Sequence, residues 1–192
     1  MPELRCLEAK NGFYAESFVF SSDLSELTER PIALRWYGYE HLNDREAIED
    51  VGNYFGLHPL LIEDIVHQNQ RPKLDDQGQI LMVTVPTFSW NPEKMEVTRK
   101  QINILWREND LVTFAGSEKD LLEPVRQRIR RGKRSQYRDL HPDFLFCAVL
   151  DLLVDQHLEF LDEIRDSLIL MEENLSEKPE PQLLQETDFV DK

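Results

Sequence analysis

The strongest constraint on the fold lies in residues 142–175, which contain no glycine and no proline after Pro142. At a rise of about 1.5 Å per residue, they predict one helix about 50 Å long. Lys178-Pro179-Glu180-Pro181 would end this helix, and residues 182–187 predict the start of a second, antiparallel one. The apolar residues of the long helix recur at a spacing that predicts packing against other helices or a sheet; they include Leu150, Val154, Leu158, Leu161, Leu168 and Leu175.

The preceding residues alternate between short β-rich runs and helical spacing. Strands are predicted at 13–20, 32–37, 80–88, 101–107 and 111–115, and helices at 44–55, 59–66 and 117–131. Mixed elements in this order predict an α/β fold, a three-layer α/β/α sandwich around a mixed sheet, followed by the long antiparallel helices. We therefore predict an α/β domain over residues 1–140 and a helical segment over 141–192.

Charge is distributed unevenly along the chain, whose formal net charge is −15. Residues 143–192 hold fourteen acidic side chains and only three basic ones. This asymmetry argues against nucleic acid or anionic lipid as a partner and favours cations or a basic protein surface. On charge alone, a solvated helix face is an equally good interpretation.

Several function classes lack their sequence signals. No apolar run approaches the roughly 20 residues of a membrane helix, and the N-terminus lacks the apolar segment of a secretion signal. Cys6 and Cys147 are interpreted as free thiols in a reducing compartment. The chain has no Walker loop, no GxGxxG, no serine nucleophile elbow and no paired zinc-ligand spacing, so we do not expect an enzyme.

Two pairs of carboxylates are candidate cation ligands. Glu63 and Asp64 are adjacent on a short predicted helix, and hard divalent cations prefer oxygen ligands. A solvated helix face is the alternative for this pair. Asp151 and Asp155 lie four residues apart in the apolar stretch AVLDLLVDQHL, where like charges repel and partial burial would require a partner. An ion pair and a bound metal both remain open there.

Residues 126–138 form a basic stretch, in contrast to the acidic residues 143–192. Clustered arginines can indicate phosphate or RNA binding. This stretch has no interleaved aromatic residue apart from Tyr137, and the chain as a whole is acidic. We therefore favour an exposed helix end that meets acidic helices.

The run VGNYFGLHPLLIEDIVHQNQRPKL, residues 51–74, closely resembles the CorA magnesium/cobalt transporter family. Three further segments agree with the family in order and spacing: QINILWRENDLVTF at 101–114, LEPVRQRIRRG at 122–132, and residues 143–175 around AVLDLLVDQHLEFLDEI. The resemblance covers roughly residues 30–180. Residues 1–30 match nothing specific.

The resemblance implies a cytoplasmic α/β domain of a homopentameric channel, on the cytoplasmic side of the inner or plasma membrane. In the family, Mg²⁺ bound between neighbouring cytoplasmic domains holds the pore closed. The sensing ligands correspond to Glu63, Asp64 and Asp151 here, and Asp155 matches a further recurring acid. Mg²⁺, or Co²⁺ or another divalent cation, would then be the regulatory ligand.

The stalk helix, the two membrane helices and the Gly-Met-Asn signature of the family do not occur in this sequence. We therefore expect this chain to gate a pore that it does not contain, and to be a monomer or weak oligomer by itself. Two alternatives stay open: the cytoplasmic domain of a zinc-transporting relative, and a soluble adaptor that binds a basic partner.

Overall fold

The computed structural model describes residues 3–10, 13–28, 32–116, 120–131 and 141–177. Within these residues, seven strands form one sheet in the order β2-β1-β3-β7-β6-β5-β4. β3 and β7 pair in parallel, whereas β1–β2, β1–β3, β4–β5 and β6–β7 pair antiparallel, so the sheet is mixed as predicted. The strands are β1 (Glu3–Lys10), β2 (Phe13–Phe20), β3 (Leu34–Tyr39), β4 (Lys73–Asp76), β5 (Leu81–Asn91), β6 (Glu96–Arg107) and β7 (Asp110–Ala115).

Five α-helices accompany the sheet in the described part of the chain. They are α1 (Leu24–Thr28), α2 (Arg45–Phe55), α3 (Pro59–Val66), α4 (Glu123–Arg131) and α5 (Pro142–Glu177). None of them is both long enough and apolar enough to cross a lipid bilayer. The long helix predicted from residue 142 is confirmed as α5, and residues 182–187 lie outside the described part.

The side chains of the central strands alternate between two cores. On β3, Tyr37 and Tyr39 belong to the core that also contains buried residues of α1, α2 and α3. Leu34 and Trp36 belong to a second core, with buried residues of α4 and of the N-terminal part of α5. Because successive strand residues point to opposite faces, the two cores lie on opposite sides of the sheet. The predicted three-layer sandwich is confirmed.

The ends of α2 and the start of α3 lie where the capping and proline signals in the sequence place them. The Asp44 side chain accepts a hydrogen bond from the Ala47 N–H at 3.0 Å and begins α2, and Gly56 ends it with φ of 76°. Pro59 occupies the first turn of α3, where its missing N–H costs nothing. Gly52 lets the helices approach closely, because a Cβ there would lie 2.8 Å from Cγ1 of Ile62.

Three elements differ from the sequence prediction. β1 and β4 were missed, because ELRCLEAK and KLDD are too polar to signal a strand. The helix predicted from residue 117 begins only at Glu123. Residues 117–119 are outside the described part, and Asp120 begins a turn in which its side chain accepts a hydrogen bond from the Leu122 N–H at 3.1 Å. Pro124 then falls in the first helical turn, where proline is tolerated.

The chain divides into two compact units. The first comprises Met1–Thr87 and Arg99–Val154 and holds both cores. The second comprises Phe88–Thr98 and Asp155–Lys192. In the second unit, Phe88 stacks on Phe160 with ring centroids 5.3 Å apart, and the Trp90 indole donates a hydrogen bond to the Ser167 hydroxyl at 2.8 Å. The boundary expected at residue 140 stays a prediction.

Candidate cation-binding carboxylates

Helix α3 presents Glu63 and Asp64 because its apolar side faces the sheet. Leu61, Ile62 and Ile65 are buried in the core, which leaves the two acids on the outer side of the helix. Glu63 is exposed and has no ion pair within the described residues, whereas the Asp64 side chain retains only 18% of its accessible surface. The two neighbouring carboxylates therefore have different surroundings.

Asp64 is already neutralised by a basic side chain. The ammonium of Lys73, at the start of β4, lies 2.5 Å from Oδ2 of Asp64 and 3.0 Å from Oδ2 of Asp75. The hydrogen bond that Lys73 donates to Asp64 is the main cause that raises the pKa of Lys73 above its ordinary value. The Asp64 carboxylate, predicted as a ligand for a divalent cation, is thus paired with the Lys73 ammonium in this structure.

A buried glutamine links α3 to the segment that carries Lys73. The Gln101 amide donates a hydrogen bond to the main-chain carbonyl of Asp64 at 2.8 Å, and its oxygen accepts one from the Gln70 N–H at 2.9 Å. Gln101 retains 1% of its accessible surface. The Arg99 guanidinium also contacts the Asn69 side chain and the Gln70 carbonyl. Neither Gln101 nor Lys73 was predicted from the sequence as a site residue, although Lys73 lies in the QRPK run of the family-like segment.

Asp151 and Asp155 are both exposed on α5. Neither forms an ion pair among the residues that the structure describes. The neighbours of Asp151, Leu152 and Leu153, are buried against the sheet, so the helix turns Asp151 away from the core. The partial burial considered for these acids does not occur, and the carboxylates are open to a cation or a partner.

Asp151 lies on the opposite side of the sheet from Glu63 and Asp64. Helix α3 packs in one core and the N-terminal part of α5 packs in the other, so the sheet separates these carboxylates within one chain. Accordingly, no three His, Cys, Asp or Glu side chains of the described residues gather closely enough to hold a metal ion. The donors themselves suit Mg²⁺, which takes oxygen ligands and keeps several waters. Whether they act together stays a prediction at this point.

Two arginines of α4 form ion pairs within the described part of the chain. Arg126 is buried over the Trp36 ring, 4.6 Å from its centroid, and binds Asp120. Arg130 binds Glu16 of β2 at 2.7 Å and Glu123 at 2.6 Å. The partners of these two arginines are not the acidic helices that we expected. They lie on β2 and around the start of α4, and residues 132–140 of the basic stretch fall outside the described part.

Most of the chain matches the model of a known protein family. The family model for CorA-like Mg²⁺ transporter proteins matches residues 33–190. The cobalt/magnesium transport protein CorA of Thermotoga maritima is 30% identical over 152 residues, which make up 79% of this chain and 43% of that relative. The chain therefore spans less than half the length of this relative.

Solved structures agree with the fold. The soluble domain of CorA from Methanocaldococcus jannaschii matches with a TM-score of 0.70 at 12% identity, covering 95% of this chain and 68% of that one. The complete CorA magnesium transporter of the same organism gives a TM-score of 0.69 at 11% identity, covering 95% and 54%. At this sequence distance, the structures establish the shared fold.

Proposed function

The chain belongs to the CorA-like Mg²⁺ transporter family, and we propose that it is the cytoplasmic, divalent-cation-sensing part of a magnesium or cobalt transporter. In this proposal it has no enzymatic activity. It binds Mg²⁺ or Co²⁺ as a regulatory ligand, and it controls a membrane pore formed by parts of the protein outside this chain. The assembled protein would be a homopentamer at the cytoplasmic side of the inner or plasma membrane.

The position of the candidate carboxylates supports this function more than any other observation. Glu63 and Asp64 lie on one outer layer of the sandwich and Asp151 lies on the other. A chain that presents ligands on two opposite surfaces can complete a site only with a second copy. Contact between unlike surfaces is a head-to-tail arrangement, which closes into a ring when the rotation between copies permits it.

The charge of the chain supplies a mechanism for regulation. Each copy carries a formal charge of −15, so neighbouring copies repel one another. A divalent cation held between Asp151 of one copy and Asp64 of the next cancels part of that repulsion. It favours the closed arrangement only by its difference in affinity for the two states. Allosteric couplings of about 1–3 kcal/mol are typical, and several such sites in a ring would add.

Calorimetric titration of the chain with MgCl₂ tests this proposal. We expect weak binding, in the millimolar range, because few protein ligands contribute to the site. Asp64→Ala and Asp151→Ala should each weaken this binding severalfold. Asp50→Ala is the matched control, because Asp50 is an exposed acid on α2 that forms no ion pair with any residue the structure describes. Unchanged binding in both Asp64→Ala and Asp151→Ala would refute the site.

A further inference from the structure

Lys73 places one ammonium group between two carboxylates from different elements. Asp64 belongs to α3 and Asp75 to β4, and Lys73 lies within ion-pair distance of an oxygen of each. The side chain of Lys73 retains 31% of its accessible surface and that of Asp75 retains 33%. The cluster is therefore partly open to solvent on the Lys73 side, whereas the Asp64 side chain retains 18% of its accessible surface and Oδ2 of Asp75 is buried.

The position of Lys73 is fixed by the main chain around it. β4 pairs antiparallel with β5, with Lys73 opposite Thr84. Gln101 of β6 forms hydrogen bonds with the Asp64 carbonyl and the Gln70 N–H. These bonds attach the segment between Asp64 and Gln70, which leads from α3 towards β4, to the sheet. The ammonium therefore meets Asp64 while the backbone is held in place, and its release needs rotation only about the side-chain bonds of the lysine.

We propose that Lys73 is a tethered competitor for the cation site, which occupies Asp64 when divalent cation is scarce and must move aside before Asp64 binds Mg²⁺. This inference rests on the proposed function, because it assigns Asp64 as a ligand. Lys73 thereby sets the concentration at which the sensor responds. A site with a strong internal competitor responds at high cation concentration and stays empty at low concentration.

Removal of the Lys73 charge should tighten Mg²⁺ binding. A unit positive charge about 4 Å from a divalent ion opposes binding by roughly 30-fold in unscreened water, and screening at physiological salt reduces this to roughly tenfold. We therefore expect Lys73→Met to lower the Mg²⁺ dissociation constant by about tenfold. Lys73→Arg keeps the charge and should stay within about threefold of the wild-type constant.

Lys10→Met is the matched control for net charge. Lys10 is an exposed residue at the end of β1, five strand spacings from β4, or about 24 Å across the sheet. This separation exceeds the screening length of about 8–10 Å at physiological salt. Lys10→Met should leave the Mg²⁺ dissociation constant unchanged, so an effect confined to Lys73→Met reports local competition.

The experiment is calorimetric titration with MgCl₂ at constant ionic strength, together with NMR of the lysine ammonium groups of the wild-type chain. Mg²⁺ should accelerate exchange of the Lys73 ammonium protons with water, because these protons lose their carboxylate partner. The Mg²⁺ concentration at half-maximal acceleration should equal the midpoint of the calorimetric titration. The NMR measurement does not depend on how well a variant folds.

The possible outcomes separate the two proposals. Tighter binding in Lys73→Met alone, with accelerated proton exchange at Lys73, supports the competitor. Equal or weaker binding in Lys73→Met, or exchange that stays unchanged at Mg²⁺ saturation, overturns it, while a loss of binding in Asp64→Ala would still uphold the site. If Asp64→Ala binds Mg²⁺ as the wild type does, the assignment of Asp64 as a ligand fails and the competitor fails with it.

Discussion

The side-chain amide of Gln101 donates a hydrogen bond to the main-chain carbonyl of Asp64 at 2.8 Å, which joins the central sheet to the helix that carries the candidate cation ligands. The oxygen of the same amide accepts the Gln70 N–H at 2.9 Å. One buried side chain thus positions both Asp64 and the segment that leads to Lys73. The geometry of the ion pair at the site depends on this amide.

Replacement of Gln101 by leucine tests that role. Gln101→Leu keeps a similar volume but leaves a carbonyl and an N–H without their partner, and each unsatisfied buried group costs about 1–3 kcal/mol. We expect the free energy of unfolding to fall by about 2–4 kcal/mol in urea denaturation. Gln77→Leu is the control, because Gln77 is exposed and should change stability by less than about 0.5 kcal/mol. Equal stability of both variants would contradict the assigned role.

Replacement of Gly52 by alanine should lower the stability of the protein, whereas the same replacement of an ordinary helical glycine raises it. Glycine to alanine in a helix usually stabilises by about 1 kcal/mol. Here the new Cβ would lie 2.8 Å from Cγ1 and 2.9 Å from Cδ1 of Ile62, and Ile62 is buried. Overpacking of this kind costs about 1–3 kcal/mol.

We therefore expect Gly52→Ala to lower the melting temperature measured by circular dichroism. Ile62→Val removes Cδ1, so the double variant Gly52→Ala/Ile62→Val should lose less stability than the sum of the two single changes. A melting temperature for Gly52→Ala above that of the wild type would contradict this prediction, because it would show that the Ile62 side chain moves aside for the new Cβ.

The two free cysteines should differ strongly in reactivity. Burial raises the pKa of the Cys6 thiol from 9.0 to about 12. At pH 8 its reactive thiolate is then about 1000-fold less populated than that of a thiol with the unshifted pKa, and the raised pKa keeps it protonated up to about pH 11. Cys147 is exposed.

A disulfide reagent at pH 8 should accordingly modify one thiol per folded chain, and two in denaturant. Cys147→Ser should abolish the fast reaction, and Cys6→Ala should leave it intact. Rapid labelling of the folded Cys147→Ser chain would show that Cys6 is accessible.

The parts of the fold with local signals were predictable from the sequence. Asp44, Gly56 and Pro59 mark helix ends through hydrogen bonding and backbone geometry, and α2 begins and ends, and α3 begins, where they indicate. β1 was not predictable, because its charged residues are stabilised by distant partners. Arg5 of β1 binds Asp120 at 2.7 Å, more than a hundred residues along the chain.

The candidate site was predictable only in part for the same reason. Glu63, Asp64 and Asp151 were selected by the chemistry of carboxylates and by the family resemblance. The Lys73–Asp64 pair depends on a missed strand, β4, and on the tertiary contact of Gln101. No spacing rule relates a residue in α3 to one nine positions later in β4, so this pair needed the structure.

The central claim is that the cation site is shared, with Asp64 from one copy and Asp151 from the next. It is tested most directly by sedimentation velocity on Asp64→Asn, Asp151→Asn and their equimolar mixture, with and without MgCl₂. Each variant alone lacks one half of every site, whereas the mixture pairs an intact Asp64 with an intact Asp151 in one interface. We predict a Mg²⁺-dependent dimer in the mixture and monomers in each variant alone. A mixture that sediments like the separate variants, or single variants that associate as the wild type does, would contradict the shared site.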